Sequence, residues 1–532
     1  MRLTRRQFLE RLAGGAGLAA LALPAWAQTL RRGRGTLDPR RLTRFQHPLP
    51  LPPRAQPLPG ESTFRVQMRE ALCQLHPELP PTRCWTYAGS VPGPTLEARS
   101  GQAISVIWEN ALPARHFLPV DHSLPGAAAS LPPVRAVVHV HGARVPPGSD
   151  GYPEDWSVPG QSQQFYYPNC QEAAPLFYHD HAMGLSRLNV YAGLFGLYLI
   201  RDGREEELGL PREEFELPLM LCDRWLDRNG QLDYPTSGLP GHPWVPEVFG
   251  NAILVNGSLW PEASVEPRSY RLRLVNAANS RFFRCSLPPL PLQVIGSDQG
   301  LLAAPVRLRE LSLAPGERAD VIVDFSAAAG SALELRNDGL GILRFRVRPR
   351  VQAMPPAWTP PPRLRSLPRG RASDAQRVRR LTLREYDTLS GLPQQMLLDD
   401  RHWRDPVSEK PVLGAVEVWE FVNLSEDIHP IHLHMVRFQV LERQPFDADQ
   451  YWAGGGMRYT GAAEPPAPEE MGWKDTVRCY AGAVTRILVR FTDFTGRYVW
   501  HCHILEHQAN AMMRPYEILP APAVERPGQS PQ

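Results

Sequence analysis

Ten of the sixteen histidines fall in four short clusters. They are His139-Val140-His141, His179-Asp180-His181, His429-Pro430-Ile431-His432-Leu433-His434, and His501-Cys502-His503 with His507. Imidazoles gathered with a thiolate suit copper, and a trigonal His2Cys set with a weak axial Met makes an electron-transfer copper site. Cys502 supplies the thiolate, and Met512, ten residues on, is placed to be the axial group. Zinc is the rival metal because imidazole suits it too. Zinc does not explain why so many ligands are gathered in pairs around one thiolate. A single His-x-His on a strand is ordinarily a pair of polar residues, and the isolated His76, His242 and His402 carry no role. Four clusters in one chain, one of them His-Cys-His, are a different matter.

These spacings need strands. Side chains alternate faces along a strand, so histidines at i and i+2 point the same way. Each His-x-His pair then offers two imidazoles to one site. A strand through His501-Cys502-His503 turns Cys502 to the opposite face, so one tripeptide would touch two metal sites.

The chain carries the matching pattern. Short alternating runs punctuated by Gly and Pro recur at Ala103–Trp108, Ala136–His141, Phe177–His181 and Ala192–Ile200. Tyr270–Asn276 and Ala319–Phe325 repeat it, as do Ala415–Asn423, Phe438–Glu442, Thr485–Thr492 and Arg497–His503. Proline, at 57 of 532 residues, is well above the usual share and disfavours long helices. The fold class expected is all-β, with sandwich or barrel units over 61–202, 203–350 and 379–519. The acidic stretch Arg204–Glu214 reads as a connector. Residues 28–60 read as an extended arm, 351–378 as a Pro/Arg-rich interdomain linker, and 520–532 as a tail. The middle unit contains no clustered histidines.

A formal net charge of +3 gives no nucleic-acid footprint. With 43% hydrophobic and 21% charged residues, wholesale disorder is excluded. Lysine occurs only at Lys410 and Lys474, which carries no functional reading. Residues 1–27 read as an export signal: Arg2, Arg5 and Arg6, a short Ala/Gly/Leu run, then Ala25-Trp26-Ala27 as a cleavage site. Thr4-Arg5-Arg6-Gln7-Phe8-Leu9 resembles a twin-arginine signal, whose machinery carries folded proteins. The run is too short to span a membrane, and the expected location is the bacterial periplasm. Such a compartment permits disulfides. Six cysteines besides Cys502 leave the pairing open.

At these residues the sequence resembles the multicopper oxidases, and within them the bacterial spore-coat laccase, phenoxazinone synthase and bilirubin oxidase group. The matching stretches are YAGSVPGPTL at 87–96, HFLPVDH at 116–122, VVHVHG at 137–142 and SDGYPEDW at 149–156. They continue with YHDHAMGLSRLNVYAG at 178–193, HPIHLH at 429–434, GWKDTV at 472–477 and GRYVWHCHILEHQANAMMRP at 496–515. The resemblance implies three cupredoxin domains and four copper ions. It implies a type 1 copper on His429, Cys502, His507 and Met512. It also implies a type 2 copper on His139 and His432, and a type 3 pair on His141, His179, His181, His434, His501 and His503.

The activity so implied is one-electron oxidation of phenols or aryl amines at the type 1 copper, coupled to four-electron reduction of dioxygen to water. A metallo-oxidase for Cu(I) or Mn(II) is an alternative, and a non-catalytic periplasmic relative is another. Against a cuprous oxidase, residues 442–470 hold only Met457 where such enzymes carry a Met-rich insertion. Against a non-catalytic relative, all twelve matched ligand positions are filled. One position departs from the family pattern. The Glu that serves as proton relay after the last type 1 histidine is here Gln508, and an amide is no carboxylic-acid donor. Asp121 is the remaining candidate relay, with a loop-capping Asp as the plainer reading. Asp475 is expected either to hold a type 1 histidine by hydrogen bonding or to be a surface ion-pairing Asp.

Overall fold

The computed structural model describes residues 35–350, 358–387 and 393–522. The expected export signal lies outside the described residues, as do 351–357 of the linker and 523–532 of the tail.

The described chain is all-β, built as three two-sheet sandwiches. In the first, one sheet runs in the order Thr82–Tyr87, Thr63–Cys73, Ile104–Ala111, Ser162–Tyr167. Its partner runs Gly93–Arg99, Phe195–Arg201, Ala174–Asp180, Val138–His141. The second sandwich pairs an eight-stranded with a five-stranded sheet between residues 216 and 347. The third has a five-stranded sheet beginning with Arg377–Asp387, and a four-stranded sheet ordered Thr476–Cys479, His429–Leu433, Gly496–Cys502, Met513–Ile518.

Each sandwich closes over its own apolar core, as alternation of inward and outward side chains requires. Trp85, Trp108 and Tyr178 anchor the first. Leu272, Val321 and Phe345 lie in the second, and Trp419, Phe421 and Trp500 in the third. Removing one such side chain from water contributes about 1.5–3 kcal/mol.

Two segments differ from the sequence pattern. The run Ala192–Ile200 is not one strand: Ser186–Ala192 is a helix, and the strand starts at Phe195. Gly193, at φ +127, reverses the chain between them, a conformation that L side chains rarely adopt. The connector Arg204–Glu214 contains a short helix, Gly203–Glu207, capped by the Asp202 carboxylate accepting from the Glu205 N–H at 3.0 Å. Glu205 is then buried against Arg271 and Arg273, which also hold Glu216 and Asp320.

The arm and the linker are pinned to the sandwiches. The Leu37 N–H donates to Leu226, and that of Ala55 to Thr95. The Leu364 N–H donates to Ala303, Arg365 pairs with Asp202 and Glu172, and Gly370 donates to the Gln439 side chain. The linker thus runs from the second sandwich across to the third.

Candidate metal centre

Cross-strand register sorts the ligands. Strand His429–Leu433 pairs with Gly496–Cys502 so that Ile431 faces Cys502 and His432 faces His501. Cross-strand partners share a face and neighbours along a strand do not. His429 and Cys502 therefore fall on one side of the sheet, and His432 and His501 on the other. In the first sandwich, strand Val138–His141 pairs with Ala174–Asp180, setting His139 opposite His179.

On the first side, Cys502 Sγ lies 3.6 Å from His429 Nδ1 and 3.9 Å from His507 Nδ1, and the two nitrogens are 3.3 Å apart. Ligand atoms placed trigonally at about 2.0–2.3 Å from one ion are roughly 3.5–4 Å from one another. The triangle therefore has the size of a His2Cys metal site. Ser425 Oγ, at 2.7 Å, holds His429 Nε2, with Glu385 at 3.4 Å. Met512 is fully buried in the same core cluster, its carbonyl accepting from the Cys502 N–H and its N–H donating to the His507 carbonyl.

On the other side, eight histidines from the first and third sandwiches form one buried cage. Their rings interleave across the domain boundary. His139 stacks on His434 with centroids 3.7 Å apart, and His141 on His432 at 3.6 Å. His181, His434 and His501 bring three Nε2 atoms together, each of the outer two 3.2 Å from that of His501. His141, His179 and His503 form a second such trio.

The chemistry of this donor set is that of metal ligands. His139 Nδ1 donates to the Asp150 carbonyl at 2.6 Å, His179 Nδ1 to that of Asp180 at 3.0 Å, and His432 Nδ1 to that of Asp475 at 2.8 Å. In all three the Nε2 is buried without a hydrogen-bond partner. One nitrogen fixed by a carbonyl and the other left as a bare acceptor is the arrangement of a ligating imidazole. Burial holds the cage rings far below the usual imidazole pKa, so they stay in the neutral form that ligates.

The structure corrects the expectation for Asp475. Its carboxylate sits on the cage side, where Oδ1 is 3.0 Å from His141 Nε2 and its carbonyl takes His432 Nδ1. His429 is held instead by Ser425, with Glu385 Oε1 3.4 Å from the same ring nitrogen. Asp475 lies just before strand Thr476–Cys479, outside its alternation, and the second sandwich sets the direction of its carboxylate. Arg318 of the second sandwich grips the carboxylate through both guanidinium tips at 2.6 Å, and Gln299 donates to it at 2.6 Å. Burial would raise this carboxyl pKa, but the Arg318 charge and bonds outweigh it and hold it low.

The middle sandwich thus supplies no ligand, yet it braces the cage. Gly316 lies so close that a Cβ there would stand 2.7 Å from the His503 ring and 3.0 Å from His141.

Asp121 is buried in a loop. Its Oδ1 accepts from the Ser123 N–H and hydroxyl, at 2.9 and 2.6 Å, and Oδ2 from the Trp244 N–H at 2.9 Å. Burial raises its pKa, but these bonds and the Arg187 charge bring the net below the usual value. The same bonds cap the loop. Gln508 Nε2 donates to Ser186 Oγ at 3.1 Å, while its Oε1 is buried without a hydrogen-bond partner.

Sequence reasoning assigned no role to Asp150, whose carboxylate takes His434 Nδ1 at 2.8 Å. Arg318, Gln299, Ser425 and Glu385 were missed as well. No disulfide joins any two of the seven cysteines.

Comparison with known proteins agrees with this geometry. Multicopper oxidase profiles match residues 131–205, 217–331 and 387–522. The chain is 45% identical over 509 residues to a laccase of Bacillus stratosphericus, covering 90% of this chain and 99% of the relative. It is 43% identical over 508 residues to a laccase of Bacillus subtilis strain 168, with the same coverage. A laccase crystal structure from Pediococcus acidilactici superposes with a TM-score of 0.73 at 27% identity, covering 90% and 95% of the two chains. The chain belongs to the multicopper oxidase family. Its sandwiches are three cupredoxin-like domains, and its cofactors are four copper ions, one type 1, one type 2 and a type 3 pair.

Proposed function

We propose that this protein is a laccase-like oxidase that takes single electrons from phenols or aryl amines and passes them to dioxygen. When bound, the copper ions supply the redox chemistry: one-electron acceptance at one site and four-electron reduction of dioxygen to two waters at the other. His429, Cys502, His507 and Met512 would hold the type 1 ion. His139 and His432 would hold type 2, and His141, His179, His181, His434, His501 and His503 the type 3 pair.

The observation that carries the reading is covalent. Cys502 of the triangle is flanked in sequence by His501 and His503 of the cage, so two peptide links join the two sites. Two sites are required because each donor gives one electron and dioxygen takes four. The backbone carbonyls of Asp150, Asp180 and Asp475 orient the cage rings. The sandwiches exclude bulk water, since every ring in the cage is 3% exposed or less.

Protons must also reach the cage. We assign their passage to Asp121, with Gln508 holding a water through its Oε1. The hydrogen bonds to Asp121 keep it a carboxylate at rest, so it would pass protons on rather than store one. Residues 1–27 would direct export by the twin-arginine route to the periplasm. No helix among the described residues is long and apolar enough to cross a membrane.

The test is an absorption spectrum of the copper-loaded protein with oxygen uptake over phenols, bilirubin, Cu(I) and Mn(II). The reading requires an intense blue band that Cys502→Ser abolishes, and oxygen uptake with phenols. Uptake with metal ions alone would move the assignment to a metallo-oxidase, and none with any donor would favour a non-catalytic relative.

A further inference from the structure

Cys73 and Cys84 come together on neighbouring strands of the first domain. Thr63–Cys73 pairs antiparallel with Thr82–Tyr87, so that Ala71 faces Cys84 and Cys73 faces Thr82. Cross-strand partners share a face, and so do residues two apart along a strand. The two cysteines are therefore diagonal neighbours on one face, and their thiols meet as a hydrogen-bonded pair. A disulfide needs its Cα atoms within about 6.8 Å, and diagonal neighbours start somewhat wider than direct ones. Cys73 is the last residue of its strand, so the closing step falls on loop rather than on sheet.

The two thiols differ in the way that exchange chemistry requires. Cys84 is buried, whereas Cys73 is partly exposed at the strand end. The bond from Cys84 holds the Cys73 thiol below its ordinary pKa, while giving that bond, together with burial, pushes Cys84 up. A disulfide is attacked by a thiolate that can reach it. Cys73 is thus the residue that an outside disulfide meets, and Cys84 stands behind it to resolve the mixed bond. Cys222 of the second domain is the rival partner, since its charge also acts on Cys84, but it is itself buried.

The pair closes a loop that carries the N-terminal arm. Between the two strands, residues 74–81 are tied to themselves: Gln74 Nε2 donates to the carbonyls of His76 and Leu79, each at 2.6 Å. His76 Nε2 donates to the Thr43 carbonyl at 2.9 Å, and the Thr43 N–H reaches both Glu78 carboxylate oxygens at 3.3 Å. The His47 ring stands edge-on to that of His76, with centroids 5.5 Å apart. Joining the two ends of the loop removes open states from the platform on which residues 43–47 rest.

We infer that Cys73 and Cys84 become joined by a disulfide when the protein meets an oxidising thiol pool, and that this bond clamps the arm to the first domain. The Cys73 thiolate attacks the disulfide of a small or protein thiol, releasing one thiol and leaving a mixed disulfide. The Cys84 sulfur then attacks Cys73, releasing the second thiol. Two hydrogens leave the protein, and one donor disulfide is reduced to two thiols. The inference stands apart from the laccase reading and names a pair among the six cysteines outside the copper site.

The test treats the copper-loaded protein with oxidised glutathione, blocks the remaining thiols with iodoacetamide in denaturant, and maps tryptic peptides by mass spectrometry without reduction. Arg83 separates the two cysteines into different peptides, so the expected product is a linked Cys73–Cys84 pair lighter by two hydrogens. Cys73 and Cys84 left free, Cys73 stopped as its glutathione adduct, or a Cys84–Cys222 link overturns the inference. The clamp is read on the native protein by trypsin cleavage after Arg40 and Arg41, both exposed in the arm. Oxidation should slow this cleavage about tenfold in the wild type and leave it unchanged in Cys73→Ala and Cys84→Ala. Equal wild-type rates before and after oxidation, or slowing that persists in Cys73→Ala, overturns the clamping role.

Discussion

Replacing Arg318 by Met tests whether the middle domain holds the cage together. The guanidinium is fully buried and donates to five acceptors. Two are the Asp475 oxygens, and three are the carbonyls of Pro175, Gly316 and Asp298. Methionine keeps much of the stem but leaves the Asp475 carboxylate buried without its counter-charge. Removing one partner of a buried ion pair costs about 3–5 kcal/mol. Part of that falls on the metal, because Asp475 orients His141 and His432. Loss of such an outer partner weakens metal binding by about 10–100-fold, or about 1.4–2.8 kcal/mol. The assay is copper counting after dialysis against graded chelator, with the blue band reporting type 1 and the paramagnetic signal reporting type 2. Arg318→Met should lose cage copper first, keep the blue band, and unfold at lower temperature. Arg318→Lys, with its charge but not its two-pronged reach, should fall between. Wild-type copper retention and thermal midpoint in Arg318→Met would refute the bracing argument.

Other outcomes follow from the same geometry. Gly316→Ala pushes a Cβ into His503 and strains a residue at φ +83; a cost of about 1–3 kcal/mol should show as lost cage copper with the blue band kept. Asp121→Asn should slow oxygen uptake with phenols by about 10²-fold, and an unchanged rate across pH would remove Asp121 from proton delivery. Gln508→Glu restores a carboxyl and should shift the pH optimum upward if relay capacity limits turnover. Glu205 and Glu470 are buried, which raises their pKa, but neighbouring arginines outweigh burial and bring both down to about 2, below the ordinary 4.5. A depressed carboxyl stabilises the fold above its unfolded pKa and loses that contribution as pH falls toward its folded value. Melting temperature should therefore decline between about pH 4.5 and 2, and less steeply in Arg271→Met.

The ligands were legible because their placement is local. His-x-His spacing and strand alternation put both rings of a pair on one face, and the same parity sent Cys502 to the other. The all-β class and the strand positions followed from short alternating runs. The supporting groups were not legible, because each is set by contacts far away in sequence. Arg318 meets Asp475 across two domains, and Asp150 meets His434 from 284 residues away. Asp475 stood in a recognisable motif, yet which histidine it serves is set by Arg318 and Gln299 of another domain, which hold its carboxylate. The helix Ser186–Ala192 was hidden inside a run that alternates like a strand, and Gly193 was the one local sign of a break.

The division of the cage between the two ends of the chain sets an order of events in biosynthesis. His139, His141, His179 and His181 leave the ribosome about 250 residues before their partners. Until the third domain folds against the first, those four can offer a copper ion only an open, water-exposed half-shell. The half built last carries both the closing histidines and Cys502. Oxidising power therefore arises in one step, at completion, and an interrupted chain is left without it.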